Sequence, residues 1–510
     1  MSKNILEMRN ISKVFGDVVA NKHINLSVSY GQIHAIVGEN GAGKTTLMNI
    51  LYGLYAPTTG DLIYKDEILQ NMTPALAVKK GIGMVHQHFM LIPPLTVYEN
   101  IILGAEPTIK KTGVLDKKRA LEKIKEMSRK YSLDIDPLAL VENLSVGEQQ
   151  RVEILKVLYR SAELIILDEP TAVLTPQEVD KLFEILKLMK NDGKTIILIT
   201  HKLKEVLAIS GEITVIRRGE VITSLETKEL NKTKAPENEL ANYMVGRPVL
   251  LRVKKTEAKP GNDVMRLKNL TVNDNRGIKK VDNVSFNVAS GEIVGIAGVD
   301  GNGQTELIEA MTGLRPPIEG ELSINGKNMT FTTSREFFDA GAAHIPEDRH
   351  KHGLILEMQN NDNFILGKQW LSPYQTAGFL NYRAINKMSD ELIKNYDIRP
   401  DTYKVKARNL SGGNQQKLIV AREMTRQPKF LIASQPTRGV DIGAIEFIHK
   451  KIVAARDGGC GVLLVSAELS EILSLSDRIL IMFDGKIVKE FVNKGITEKE
   501  IGVYMMGSGA

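Results

Sequence analysis

Apolar residues in this chain fall in short, repeated runs separated by turn residues. Gln32-Ile33-His34-Ala35-Ile36-Val37 reads as a buried strand and Leu47-Met48-Asn49-Ile50-Leu51-Tyr52 as the helix that follows it. Leu164-Ile165-Ile166-Leu167 and Thr195-Ile196-Ile197-Leu198-Ile199 are continuous apolar runs, as strands buried on both faces require. The mixed stretch from Lys117 to Tyr131 has helical spacing and lies in a helix-rich middle section. Strands alternating with helices predict an α/β core sheet with a helical insert.

The same order returns further along. Ser29-Tyr30-Gly31-Gln32-Ile33 recurs as Ala289-Ser290-Gly291-Glu292-Ile293, and Leu144-Ser145-Val146-Gly147-Glu148-Gln149-Gln150 as Leu410-Ser411-Gly412-Gly413-Asn414-Gln415-Gln416. Even Tyr243-Met244-Val245-Gly246 has a partner in Tyr504-Met505-Met506-Gly507. A period this long means two whole domains in tandem, since solenoid repeats run to roughly 20–45 residues. The domains are expected at 1–246 and 263–510, joined across a polar Lys/Glu/Pro-containing linker at 247–262.

Composition narrows little. The 510 residues exceed one hydrophobic core, and the net charge of +6 is a small excess of 67 basic over 61 acidic residues, weak grounds for a nucleic-acid partner. One cysteine, Cys460, excludes an internal disulfide framework and is expected to be packed in the interior. No signal peptide and no bilayer-length apolar run is visible, so a membrane role requires a partner.

The chemistry concentrates in Gly38-Glu39-Asn40-Gly41-Ala42-Gly43-Lys44-Thr45-Thr46, a glycine-rich phosphate loop between a strand and a helix start. Backbone N–H groups and the positive helix end face the phosphates. Lys44 is expected to reach the β- and γ-phosphates and Thr45 to hold Mg²⁺. Asp168-Glu169 close an apolar strand. Asp168 suits the metal shell, and Glu169 suits polarising the water that attacks the γ-phosphate. Gln87 could ligate Mg²⁺ and touch that water, and His201 could bond the γ-phosphate and hold the water's geometry. Phe15 could stack on adenine. Ser145 and Ser411 are each placed to cap a helix whose small residues admit a phosphate.

Loop, Gln87, the Leu144 element, Asp168-Glu169 and His201, with their second copy, resemble the ATP-binding-cassette family over essentially the whole chain. The resemblance implies two tandem P-loop NTPase domains that pair head to tail. Each ATP·Mg²⁺ is then clamped by one domain's loop and the other domain's signature helix. The second copy departs from the pattern. Gln304 replaces the loop lysine, Ser434-Gln435 the acid pair and Ser466-Ala467 the Thr200-His201 pair; Glu347 takes the place of Gln87. Asn273-Asp274-Asn275 offers no aromatic where Phe15 stands. Its signature, Ser411-Gly412-Gly413, is nevertheless the better one, because Val146 occupies the first glycine position of the other. One hydrolytic and one degenerate site per chain follow.

Asp441 sits where the family's loop crosses to the opposite site, and Thr171-Ala172-Val173-Leu174-Thr175 lacks that aspartate. Val85-His86-Gln87-His88-Phe89-Met90-Leu91, Ile345-Pro346-Glu347-Asp348-Arg349-His350 and Ala433-Ser434-Gln435-Pro436-Thr437-Arg438-Gly439 look most like the fused double-cassette ATPases of bacterial nucleoside importers. That branch implies ATP hydrolysis at the cytoplasmic face of the membrane, with two integral membrane permease subunits and an extracytoplasmic solute-binding lipoprotein. The permease groove is expected beside His88–Leu95, an apolar segment that packing in the helical insert explains equally well. Monosaccharide import of the ribose or galactose type is the alternative. A soluble twin-cassette ATPase acting on ribosomes or DNA is disfavoured by the broken second site and the short linker.

Overall fold

The computed structural model describes residues 4–87, 89–109, 113–171, 174–249, 253–299, 301–505 and 507. The chain divides into two compact units, Met1–Val249 and Leu250–Ala510.

In the first unit ten strands form two sheets: β1 (Asn4–Phe15), β2 (Val18–Ser29), β3 (Ile33–Val37), β4 (Thr59–Tyr64), β5 (Glu67–Leu69), β6 (Ile82–Val85), β7 (Leu164–Asp168), β8 (Thr195–Ile199), β9 (Glu212–Arg217) and β10 (Glu220–Glu226). The six-stranded sheet has the order β10-β9-β3-β8-β7-β6, parallel except for the edge hairpin β9–β10. The antiparallel sheet runs β2-β1-β4-β5. Every residue of β3, β7 and β8 is buried, which is why these strands read as unbroken apolar runs.

Alternate side chains of those strands serve different cores. Ile33, Ile165, Leu167, Ile196 and Leu198 pack with the helical insert, whereas Ile36, Leu164, Ile166, Ile197 and Ile199 pack beneath the antiparallel sheet. The strand period of two thus divides one sheet between two cores. The insert includes helices Val97–Ile102, Lys117–Lys130 and Val146–Tyr159.

The second unit repeats this topology. Its six strands lie in the order Lys486–Val492, Arg478–Phe483, Ile293–Ala297, Gly461–Ser466, Phe430–Ser434, Ala342–Ile345. Its insert carries a small hairpin, Gln375–Thr376 with Phe379–Leu380. Cys460 is buried, and burial pushes its thiol up to about 12, so it is inert packing.

The expected linker is partly structured. Lys255 donates to Asp477 at 2.9 Å, and Arg456 donates to the carbonyl of Thr256 at 3.1 Å, so these residues belong to the second unit. Among the described residues no helix is long and apolar enough to cross a membrane.

Candidate active site

The loop in the first unit leaves β3 at Val37 and ends in the helix Lys44–Leu51. Its glycines are demanded by space as well as conformation. A Cβ at Gly38 would lie 2.1 Å from the carbonyl of Ile216. Gly43 has φ +99°, and a Cβ there would meet the carbonyl of Ala20 at 2.4 Å. Lys44 is buried, and its Nζ donates to the carbonyls of Gly38 at 2.7 Å and Glu39 at 3.0 Å. Burial lowers its pKa, and the charges of Glu169, Asp168 and Glu39 oppose that shift. Asn40, Gly41 and Thr45 are exposed at the loop surface, with Glu39 and Thr46 half-buried and Ala42 buried.

The acid pair arrives on β7, whose last residue is Asp168. The chain turns at Glu169 through a left-handed conformation, φ 49°, held by its N–H donating to the carbonyl of Ile199 at 2.9 Å. That turn directs the two carboxylates to different partners. Asp168 accepts a hydrogen bond from the Thr45 hydroxyl at 3.4 Å, while Glu169 meets His201 Nδ1 at 2.9 and 3.0 Å. Neither carboxylate caps the following helix, Pro176–Asn191. Thr175 does so through a capping box with Glu178.

Burial, and next the charge of Glu169, raise the Asp168 carboxyl to about 6, against the pull of Lys44 and Thr45. Two carboxylates sharing one lysine leave the pocket short of positive charge. Thr45 and Asp168 supply the hard oxygen donors that Mg²⁺ prefers. Among the described residues no group of three His, Cys, Asp or Glu side chains could hold a metal ion, so a cation here would complete its shell from the nucleotide.

Lys44, Thr45, Asp168, Glu169 and His201 are therefore brought together from three separated stretches. Gln87 is not joined to them: it follows β6 with an exposed side chain that makes no hydrogen bond among the described residues. Phe15 ends β1, 42% exposed, edge-on to Tyr55 with ring centroids 5.3 Å apart. Lys13 Nζ lies 4.9 Å from the Phe15 centroid and 5.8 Å from that of Tyr55. Sequence reasoning missed Tyr55, whose only signal was the return of the chain to β1 after the loop helix.

Ser145 caps Val146–Tyr159 in a box with Glu148, and Ser411 caps Gly412–Met424 by accepting from the N–H of Asn414. The second signature glycine is required for packing within each unit. A Cβ at Gly147 would meet Glu178 Oε1 at 2.1 Å, and one at Gly413 would meet Asp441 Oδ2 at 2.5 Å. Asp441 is the cap of helix Ile442–Asp457, its Oδ1 accepting from the N–H of Ala444 at 2.8 Å. Its carboxylate is thus engaged inside its own unit.

At the second loop Gln304 Nε2 donates to the carbonyl of Val299 at 3.1 Å, tracing the path of Lys44 without its charge. Gln435 has the same left-handed turn as Glu169, φ 46°, but its Oε1 accepts the N–H of Ala467 at 3.2 Å. Ser434 ends the buried strand in place of Asp168.

The segment after Gln87 divides between exposure and packing. Leu91 packs against the core, while Met90 is 63% exposed and its N–H donates to Glu153 at 2.7 Å. His88, Ala172, Val173, Asp300 and Met506 lie outside the described residues.

Residues 21–172 and 281–438 each match the family described as ABC transporter. The chain belongs to the ABC transporter family. It is a double-cassette ATPase of that family, and one cassette falls in each unit. It is 51% identical over 505 residues to the guanosine import ATP-binding protein NupO of Bacillus subtilis (strain 168), covering 99% of this chain and 98% of the relative. The nucleoside import ATP-binding protein NupA of Lactococcus lactis subsp. cremoris (strain MG1363) is 48% identical over 508 residues, 99% of each chain. The glucose import ATP-binding protein TsgD13 of Haloferax volcanii is 43% identical, covering 99% of this chain and 96% of that one. A solved nucleotide-free ATP-binding cassette from an ABC transporter is 25% identical over 48% of this chain and 96% of its own, with a TM-score of 0.42.

Proposed function

We propose that the first cassette hydrolyses ATP to power uptake of nucleosides through a membrane importer, and that the second cassette does not hydrolyse. The observation that carries this reading is the cluster Lys44–Thr45–Asp168–Glu169–His201, set against Gln304, Ser434, Gln435 and Ala467 at the corresponding places.

Lys44 and the loop N–H groups bind the polyphosphate, and Phe15 stacks on the base. Glu169 accepts the proton of the attacking water as its oxygen bonds to the γ-phosphorus and the bond to ADP breaks. His201, bonded to Glu169, positions that carboxylate and contacts the γ-phosphate, with Gln87 assigned to the water. Thr45, Asp168 and Gln87 would hold Mg²⁺, which when bound neutralises charge on the β- and γ-phosphates. Ser411, Gly412 and Gly413 serve the same hydrolytic event, since both signature glycines are present there and Val146 disrupts the other copy.

The nucleoside assignment rests on the 51% and 48% identity to guanosine and nucleoside import proteins, against 43% to a glucose import protein. On this reading the chain works at the cytoplasmic face with two permease subunits and a solute-binding lipoprotein. Proteoliposomes holding the permeases, this ATPase and the receptor should take up labelled guanosine on addition of internal ATP·Mg²⁺, and Glu169→Gln should abolish uptake. Uptake of ribose or glucose but no nucleoside would overturn the assignment in favour of monosaccharide import.

A further inference from the structure

Gln87 makes no side-chain hydrogen bond among the described residues, so its place is set by the backbone on either side. Before it, His86 directly follows β6 with its ring edge-on to Tyr52, centroids 6.0 Å apart. Tyr52 closes the helix that starts at Lys44. After it, Met90 is gripped at both of its backbone polar groups. Its N–H donates to Glu153 Oε1 at 2.7 Å, and its carbonyl accepts from Lys156 Nζ at 3.2 Å. Lys156 Nζ also meets Glu153 Oε2 at 2.8 Å, which closes a ring of three contacts. His88, between the two anchors, lies outside the described residues.

The grip is on the backbone, since the Met90 side chain is itself exposed. Glu153 is buried, where a carboxylate is costly unless both oxygens are bound, and here both are. The second unit separates what the fold needs from what the first unit adds. Asn100 holds the N–H and carbonyl of Ile92 at 2.7 and 3.1 Å, and Asn363 holds those of Ile355 at 2.9 and 3.0 Å. That clamp is common to both units and serves the fold. At the other anchor the units differ. Arg422, the counterpart of Lys156, donates to the carbonyl of Gly353 at 2.7 Å. Ile419, however, stands where Glu153 does, and a Cβ at Gly353 would lie 2.6 Å from its Cδ1. The carboxylate half of the grip belongs to the unit that carries Gln87 and the acid pair.

We propose that Glu153 and Lys156 are positioning residues for ATP turnover in the first cassette, gripping Met90 so that the backbone delivers Gln87 to the attacking water. This rests on the reading that assigns Gln87 to that water. The helix Val146–Tyr159, which bears both residues, thereby fixes the segment that follows β6.

Steady-state hydrolysis by the full-length chain tests this through a double-mutant cycle. Glu153→Met with Lys156→Met replaces the ion pair by apolar chains of similar size, a change that buried pairs tolerate, and removes the grip. Its kcat should fall about tenfold or more with the KM for ATP within about twofold, because misplacing a catalytic group costs turnover rather than binding. Gln87→Ala should lower kcat to a similar degree, and the paired substitution added to it should cost less than about twofold more. Lys156→Arg, which copies Arg422, should keep kcat within about threefold of wild type. Glu153→Gln keeps the shape of the site and should show a smaller loss, about threefold, with the same dependence on Gln87, so the cycle is readable even where the paired variant is unstable. Hydrogen exchange reads the grip itself: the Met90 amide should exchange at least about tenfold faster in the paired variant, with the Ile92 amide unchanged. An equal loss with and without Gln87, wild-type kcat in the paired variant, or unchanged exchange at Met90 would each overturn the proposal. Wild-type kcat in Gln87→Ala would overturn the assignment of Gln87 to the water, and the proposal with it.

Discussion

Asp168 destabilises the nucleotide-free first unit, and removing its charge should make that unit harder to unfold. Its carboxyl is raised from 3.8 to about 6 by burial and by Glu169. The folded state therefore holds a proton that the unfolded chain gives up, so stability falls as pH rises from about 4 to about 6 and the full cost is present above that. About two pKa units correspond to about 3 kcal/mol. Asp168→Asn keeps the shape and the hydrogen bond with Thr45 and stands in for the protonated acid, and the pull of Lys44 is already contained in the raised value. The expectation at pH 7.5 is a gain of about 3 kcal/mol, or about 6–12 °C in the transition of a unit this size. Differential scanning calorimetry in EDTA without nucleotide measures it. The difference between variant and wild type should halve by pH 5 and vanish near pH 4, as wild-type Asp168 becomes protonated. Saturating ATP analogue with Mg²⁺ should reverse the order. A variant that melts lower than wild type in EDTA, or a difference independent of pH, refutes the argument.

Glu169→Gln should lower phosphate release by roughly 100-fold or more with nucleotide affinity retained, because the general base is lost and the loop is intact. Phe15→Ala should raise the KM for ATP by about 5–150-fold with little change in kcat, stacking being worth about 1–3 kcal/mol per base; Tyr55→Ala should act in the same direction and more weakly. Gly43→Ala places a Cβ 2.4 Å from the carbonyl of Ala20 at φ +99°, and thermal unfolding should show the first unit destabilised by more than about 1 kcal/mol. Gln304→Lys should add no second turnover event in single-turnover kinetics, since Ser434, Gln435 and Ala467 stay in place.

The pieces of the first site were legible because each is a local pattern: glycines before a helix, acids closing an apolar run, a serine ahead of a helix. Their assembly was legible only through family order. Thr45 and Asp168 are separated by 123 residues, and no short-range rule pairs them. The pairing of Arg438 with Glu347, 91 residues apart, escaped the sequence for the same reason. Asp441 shows a signal that was available and assigned elsewhere. An aspartate directly before Ile442-Gly443-Ala444 is an N-cap pattern, and the structure uses it as one. The linker fared similarly, since the polar run around Lys255 reads as solvated until Asp477 and Arg456 are brought beside it. Phe15 was legible as an aromatic, but its fixed orientation depends on Tyr55 and Lys13, which pattern alone does not bring together.

The claim that each chain carries a single hydrolytic cassette is tested most directly by locating the trapped product. Turnover of photoreactive azido-ATP with Mg²⁺ and orthovanadate, followed by irradiation and peptide mapping, should place the label on the peptide bearing Gly38–Thr46, in an amount not exceeding one per chain, and Glu169→Gln should abolish it. Vanadate-dependent label on the peptide bearing Gly298–Thr305 would contradict the account.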